Sequence, residues 1–186
     1  ARRISDHALE FAIASYETVT DAIGWTYQEQ GHSFYVLSFP TAGATWVYDA
    51  ATQLWHERGK WNTDTATYEA WRPQYHAYAF GKHLVADRST GAIYEASVTL
   101  GSDVGGAAIR RMRRTPHVVN EQRQIFYREF EIDMETGLGL ATGQGDDPVV
   151  MLRVSRDGGR TYGPERQASA GRQGQYRQRV TWTRVG

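Results

Sequence analysis

The chain has 186 residues, 40% hydrophobic and 12% aromatic, enough to bury a core in one ordinary domain or two small ones. Its net charge is zero, which argues against a free nucleic-acid binder, and with no cysteine it has no disulfides, thiolate chemistry or zinc fingers. No apolar run is long enough to span a membrane, and no signal peptide is visible at the start.

Six Trp, eleven Tyr and six Phe suit strands better than helices, and nineteen Gly supply tight turns. The expectation is an all-β chain rich in hairpins. Its first residues allow a short helix, Ser5 to Tyr16, with Leu9, Ile13 and Tyr16 near one face and Ser5 or Asp6 as the cap. A strand is the alternative, because Ile4, Leu9, Phe11 and Ile13 also fit a broken alternation.

From Gly24 the pattern becomes hairpins. Trp25–Glu29, Phe34–Phe39, Thr45–Asp49 and Leu54–Arg58 read as four short strands, the size of one propeller blade. The pattern recurs in Tyr75–Phe80, His83–Asp87 and Ile93–Glu95. Val47-Tyr48-Asp49 before Leu54-Trp55 matches Val85-Ala86-Asp87 before Ile93-Tyr94, with the two aspartates 38 residues apart. Each Asp is expected to accept turn amides, since a short carboxylate mimics a turn. This self-similarity predicts antiparallel four-stranded blades over residues 1–100.

Gly101 to Gly106 reads as a joint, and residues 101–186 as further antiparallel strands, either a last blade or a sandwich-like layer. Here Gln124–Met134 alternates over a long stretch, Gly137 to Pro148 is a Gly-rich loop, Val149–Val154 is a strand, and Tyr176–Arg184 alternates again. Charge divides along the same line. Residues 1–100 carry seven basic and eleven acidic side chains, and residues 101–186 carry fourteen and ten. Nineteen of the 21 basic residues are Arg, which suits fixed bidentate or stacked contacts.

The sharpest basic cluster is Arg110, Arg111, Arg113 and Arg114. It has three readings: a phosphate contact, a pairing surface for an acidic neighbouring subunit, and a solvated edge that discourages aggregation. Ser155-Arg156-Asp157-Gly158-Gly159-Arg160-Thr161-Tyr162 resembles an Asp-box, the S-x-D-x-G-x-T-W hairpin, with Tyr162 in the Trp position. Asp-boxes occur in sialidase propellers, so a glycan-binding or glycan-hydrolysing domain is the rival hypothesis. The motif itself is a turn device, with Asp accepting amides and Gly permitting positive φ.

Glu131, Asp133 and Glu135 would share one face of a strand, where paired carboxylates can do glycoside chemistry. The simpler reading is a solvated face opposite Phe130, Ile132 and Met134. His7, His32, His56, His76, His83 and His117 have no metal spacing, and Asp146-Asp147 lacks a calcium-loop pattern. No catalytic, cofactor or metal residues are assigned, and the chain is expected not to be an enzyme.

Gly31-His32-Ser33-Phe34-Tyr35-Val36-Leu37-Ser38-Phe39-Pro40, with Ala44-Thr45-Trp46-Val47-Tyr48-Asp49 and Leu54-Trp55-His56-Glu57-Arg58, resembles the packaged-DNA stabilisation proteins of short-tailed bacteriophages. Ala79–Asp87, Ile109–Arg111, Arg114–His117, Asp133–Gly137, Ser155–Tyr162, Ala168–Gly171 and Tyr176-Arg177 add to the resemblance. It implies a tail hub or nozzle built on a β-propeller, a six-fold homo-oligomeric ring below the portal. The implied partners are the portal adaptor, tailspike or needle proteins, and DNA passing through the channel. The implied location is the virion, after synthesis in the host cytoplasm. The family's members are longer, and neither Ala1-Arg2-Arg3-Ile4 nor Arg184-Val185-Gly186 reads as a natural terminus, so the expectation is a C-terminal fragment.

Overall fold

A computed structural model describes residues 3–107, 109–121, 123, 125–143 and 145–185. The chain divides into two compact units, 1–112 and 113–186, which meet between Met112 and Arg113, later than the Gly101–Gly106 joint.

The first unit opens with helix α1 (His7–Ala14), capped by Asp6, whose carboxylate accepts the Leu9 amide at 2.8 Å. The helix buries Leu9. A meander follows: β1 (Ile23–Glu29), β2 (His32–Phe39), β3 (Ala44–Asp49), β4 (Leu54–Asn62) and β5 (Thr67–Ala70), hydrogen-bonded in that order and antiparallel throughout. β4 changes partner midway. Its first half pairs with β3 up to Arg58, and from Gly59 it pairs with β5. Gly59 permits the switch, because a side chain there would meet the Glu69 carbonyl oxygen at 3.0 Å.

Period-2 alternation gives this sheet two distinct faces. Trp25, Tyr27, Phe34, Val36, Val47, His56 and Arg58 share one face by register, with Val36 directly opposite Val47 and both fully buried. Tyr35, Trp46, Tyr48 and Trp55 lie on the other. There the helical segment is tied down: the Trp46 indole donates to the Tyr16 hydroxyl at 2.9 Å, and the Trp55 indole to the Ile4 carbonyl at 2.8 Å.

A second meander, β6 (Pro73–Ala79), β7 (Lys82–Asp87) and β8 (Ile93–Ala96), packs through β6 against β1. Two hairpins in this unit use two-residue turns in the left-handed region, Gln30-Gly31 (φ 49° and 82°) and Phe80-Gly81 (φ 56° and 73°). Such turns match the twist of the flanking strands.

The antiparallel meanders are therefore present, but not as two sheets of four. The first sheet gains a fifth strand because β4 runs on past Gly59, and the second has three strands among the described residues. These two sheets do not close into a propeller by themselves. The established fold class is all-β with antiparallel sheets.

The second unit holds β9 (Glu129–Ile132), β10 (Val149–Leu152), β11 (Arg166–Ser169) and β12 (Val180–Thr183). β9 pairs with β12 and β10 with β11, both antiparallel. Alternation sends Phe130, Ile132, Val150, Leu152 and Ala168 toward a core of Ala170, Val180 and Trp182. The Trp182 indole donates to the Arg166 carbonyl at 2.9 Å, tying β12 to β11. Two small sheets facing one core make this unit sandwich-like. The strands are shorter than their alternation predicts. The long strand expected from Gln124 begins at Glu129, and Gln124 itself lies outside the described residues.

Candidate functional site

The division between the units falls inside the arginine cluster. In the first unit, the Arg110 guanidinium lies 4.3 Å from the centre of the Trp61 ring. Trp61 is held edge-on to Tyr68 across the β4–β5 hairpin, and the Tyr68 hydroxyl donates to the Arg110 carbonyl at 3.4 Å. In the second unit, the Arg114 guanidinium lies 5.4 Å from the centre of the Tyr162 ring. Arg111 and Arg113 between them are exposed and make no ion pair among the described residues. Two arginines of the cluster are thus laid on rings, each in its own unit, and two are available to a partner.

The Ser155–Tyr162 segment forms the expected Asp-turn. The Asp157 carboxylate accepts the Arg160 amide at 3.0 Å, the Thr161 amide at 2.9 Å, the Thr161 hydroxyl at 2.5 Å and the Ser155 hydroxyl at 2.8 Å. These donors, with Thr161 first, lower its pKa to about 2. All of its acceptor capacity faces its own hairpin. Tyr162 carries guanidinium groups from two separate segments, Arg114 and, at 5.6 Å, Arg153. His117 lies against the turn: a side chain at Gly158 or Gly159 would meet its ring at 3.6 or 3.7 Å.

The three carboxylates do not share a strand face. β9 ends at Ile132, so Glu131 alone lies on it, 3.7 Å from Arg179. Asp133 and Glu135 follow in irregular, exposed chain. Asp147 accepts from the Ser169 hydroxyl at 2.5 Å and faces Arg172 at 3.8 Å, a structural arrangement.

Four of the six histidines come together in the first unit, none in a group of three metal-ligating side chains among the described residues. His32 Nδ1 is 2.8 Å from Asp49, and His56 Nε2 accepts from Arg58 Nε at 3.3 Å. His76 Nε2 and His83 Nδ1 are 3.0 Å apart. The His76 ring stacks flat on Trp25 at 5.3 Å and 4°, and Trp25 stacks on Trp71 at 6.1 Å. Arg58 sits among Tyr27, Phe34 and Trp71, 5.1 to 5.6 Å from each ring centre, and donates to the Tyr27 hydroxyl at 2.7 Å. Burial lowers the pKa of His76, and the neighbouring His83 adds to this.

Beside this ladder runs an open groove of about 830 Å³ lined by Tyr27, Phe34, Tyr35, Tyr78, His76 and His83, among others. The histidines have no metal spacing in the sequence, and it is sheet geometry that brings these together. Alternation on β1 and β2 signals one aromatic face, but nothing local signals that β6 packs on β1.

Residues 110–186 match a family model described as Bacteriophage P22 Gp10, beta-sandwich. No curated protein matches the chain. The match covers the sandwich-like unit and the arginine cluster.

Proposed function

We propose that this chain is a structural part of a short-tailed phage tail, a hub or nozzle ring below the portal that closes the DNA channel and stabilises the packaged genome. The observation that carries the reading is the match of residues 110–186 to the P22 Gp10 β-sandwich. Arg111, exposed and without an ion pair among the described residues, supports it, since Arg is enriched at protein interfaces. In this reading the chain is a homo-oligomer, a hexamer, and contacts the portal adaptor and the tailspike or needle proteins. DNA passes it during ejection. It is made in the host cytoplasm and resides in the virion. The meanders over 23–70 and 73–96 would be blades of a larger propeller, and the chain would have no catalytic activity and need no cofactor. No helix among the described residues is long and apolar enough to cross a membrane.

Cryo-electron microscopy of the intact tail, with this chain located in the density, tests the reading. The expected result is a six-fold ring under the portal. Particles that lack the chain yet retain their DNA and infect normally would overturn it. Arg111→Gln should weaken the ring while each subunit stays folded. Unchanged assembly would assign Arg111 to a solvated edge.

A further inference from the structure

The Asp-turn hairpin of the second unit gathers more positive charge than the sequence cluster contains. Arg114 and Arg153, 39 positions apart in the chain, both place their guanidinium groups on the Tyr162 ring, at 5.4 and 5.6 Å. Arg156 and Arg160 flank Asp157 in the turn itself, and Arg113 and His117 lie on the segment that crosses it. All six basic side chains belong to exposed residues. None of the five arginines forms an ion pair among the described residues. The carboxylate inside the hairpin, Asp157, is occupied by the Thr161, Ser155 and Arg160 donors.

We infer that this surface, formed by Arg113, Arg114, His117, Arg153, Arg156 and Arg160 around Tyr162, binds the phosphodiester backbone of double-stranded DNA. It rests on the tail reading only in taking DNA as the polyanion at hand. Two features favour a nucleic acid over an acidic protein. Guanidinium forks match phosphate oxygens in pairs. Tyr162 holds two of them in fixed positions, so less side-chain freedom is lost on binding. The contact is to backbone charge and carries no sequence preference.

The full chain is titrated against a fluorescent duplex of about 20 base pairs, by anisotropy, with salt varied between about 50 and 200 mM. Binding should weaken with salt along a log–log slope of about −3 to −5, one increment for each phosphate contacted. Arg153→Gln should reduce the slope by about one, and Arg156→Gln with Arg160→Gln by about two. Lys60→Gln in the first unit should leave it unchanged. Circular dichroism confirms that each variant is folded. Absence of binding at about 50 mM salt, or a slope that the patch variants do not alter, would overturn the inference. Stronger competition by polyglutamate than by unlabelled duplex would also overturn it, and would assign the surface to an acidic protein. The tail reading fails by a different result, normal genome retention in particles without the chain, whatever the isolated chain binds.

Discussion

Asp49 and Asp87 close their turns in the same way. Asp49 Oδ1 accepts the Ala51 amide at 2.9 Å, and Asp87 Oδ1 accepts the Ser89 amide at 2.7 Å. The Asp49 carbonyl takes the Gln53 amide at 2.8 Å, and the Asp87 carbonyl takes the Gly91 amide at 2.9 Å. The second oxygens differ. Asp49 Oδ2 is held by His32 and Thr52, whereas Asp87 Oδ2 is buried with no hydrogen bond among the described residues.

That difference sets the first prediction. Removing a buried carboxylate with every acceptor filled frees more donors than removing one that is half-filled. Asp49→Ala should therefore lower the melting temperature more than Asp87→Ala. Hydrogen exchange, read on peptides covering 44–58 and 82–96, should show local opening at each altered turn. Equal effects at the two sites would contradict the asymmetry.

His76 gives a pH dependence of the first unit. Its folded pKa lies below the ordinary 6.5, through burial and then through His83. The unfolded chain therefore binds more protons, and stability rises with pH. The penalty is absent well above 6.5, begins as pH falls through that value and grows until the folded group itself titrates. The other groups near the pair are Tyr78, Glu29 and Tyr27, with Arg58 over the Tyr27 ring. Because His76 stacks on Trp25, acidification below 6.5 should change the tryptophan fluorescence as well as lower the melting temperature. His83→Gln, which removes the second imidazole, should weaken both responses. Profiles identical to those of the unaltered chain would exclude the pair as their source.

Asp157 works in the same sense as His76, at lower pH. Its folded pKa is lowered from 3.8 to about 2 by the Thr161, Ser155 and Arg160 donors. Its contribution is fully present above 3.8 and is lost as pH falls from there through about 2. Asp157→Asn should flatten the acid limb of the second unit in that window and lower stability above it, where the carboxylate's contribution is otherwise fully present. The signals of Thr161 and His117, followed by nuclear magnetic resonance, provide the measurement.

Gly137 is a backbone requirement of the second unit. Its φ is 77°, and a side chain there would lie 2.7 Å from the Gln175 carbonyl carbon and the Tyr176 nitrogen. Its amide donates to the Ala170 carbonyl, and its own carbonyl accepts from Gly174, both at 3.0 Å. Gly137→Ala should destabilise this unit by about 2 kcal/mol or more, since both the conformation and the space are refused. Gly174→Ala meets no atom within 4 Å and suffers only the conformational cost of its φ of 88°, so it should lose less. Chemical denaturation followed at Trp182 compares the two.

Much of this protein was decided by local sequence. Alternating aromatic and β-branched residues made strands, because only a pleated strand sends every second side chain to one face. Asp6 started the helix, Asp49, Asp87 and Asp157 closed turns, and Gly31 and Gly81 allowed hairpins, all through hydrogen bonds or backbone freedom within a few residues. The number of strands per sheet was not local. It depended on Gly59 letting β4 run on to a new partner, and on close packing around Glu69 that no short window contains. The same holds for the sites. Four consecutive-looking arginines were legible, but their separation into ring-bound Arg110 and Arg114, and Arg111 and Arg113 without an ion pair among the described residues, followed from where Trp61 and Tyr162 came to lie. The pairing of His76 with His83 beneath Trp25, and the meeting of Arg114 with Arg153 over one tyrosine, required contacts between distant segments. Those contacts are set by how faces pack, which sequence periodicity predicts to exist without saying what each face will meet.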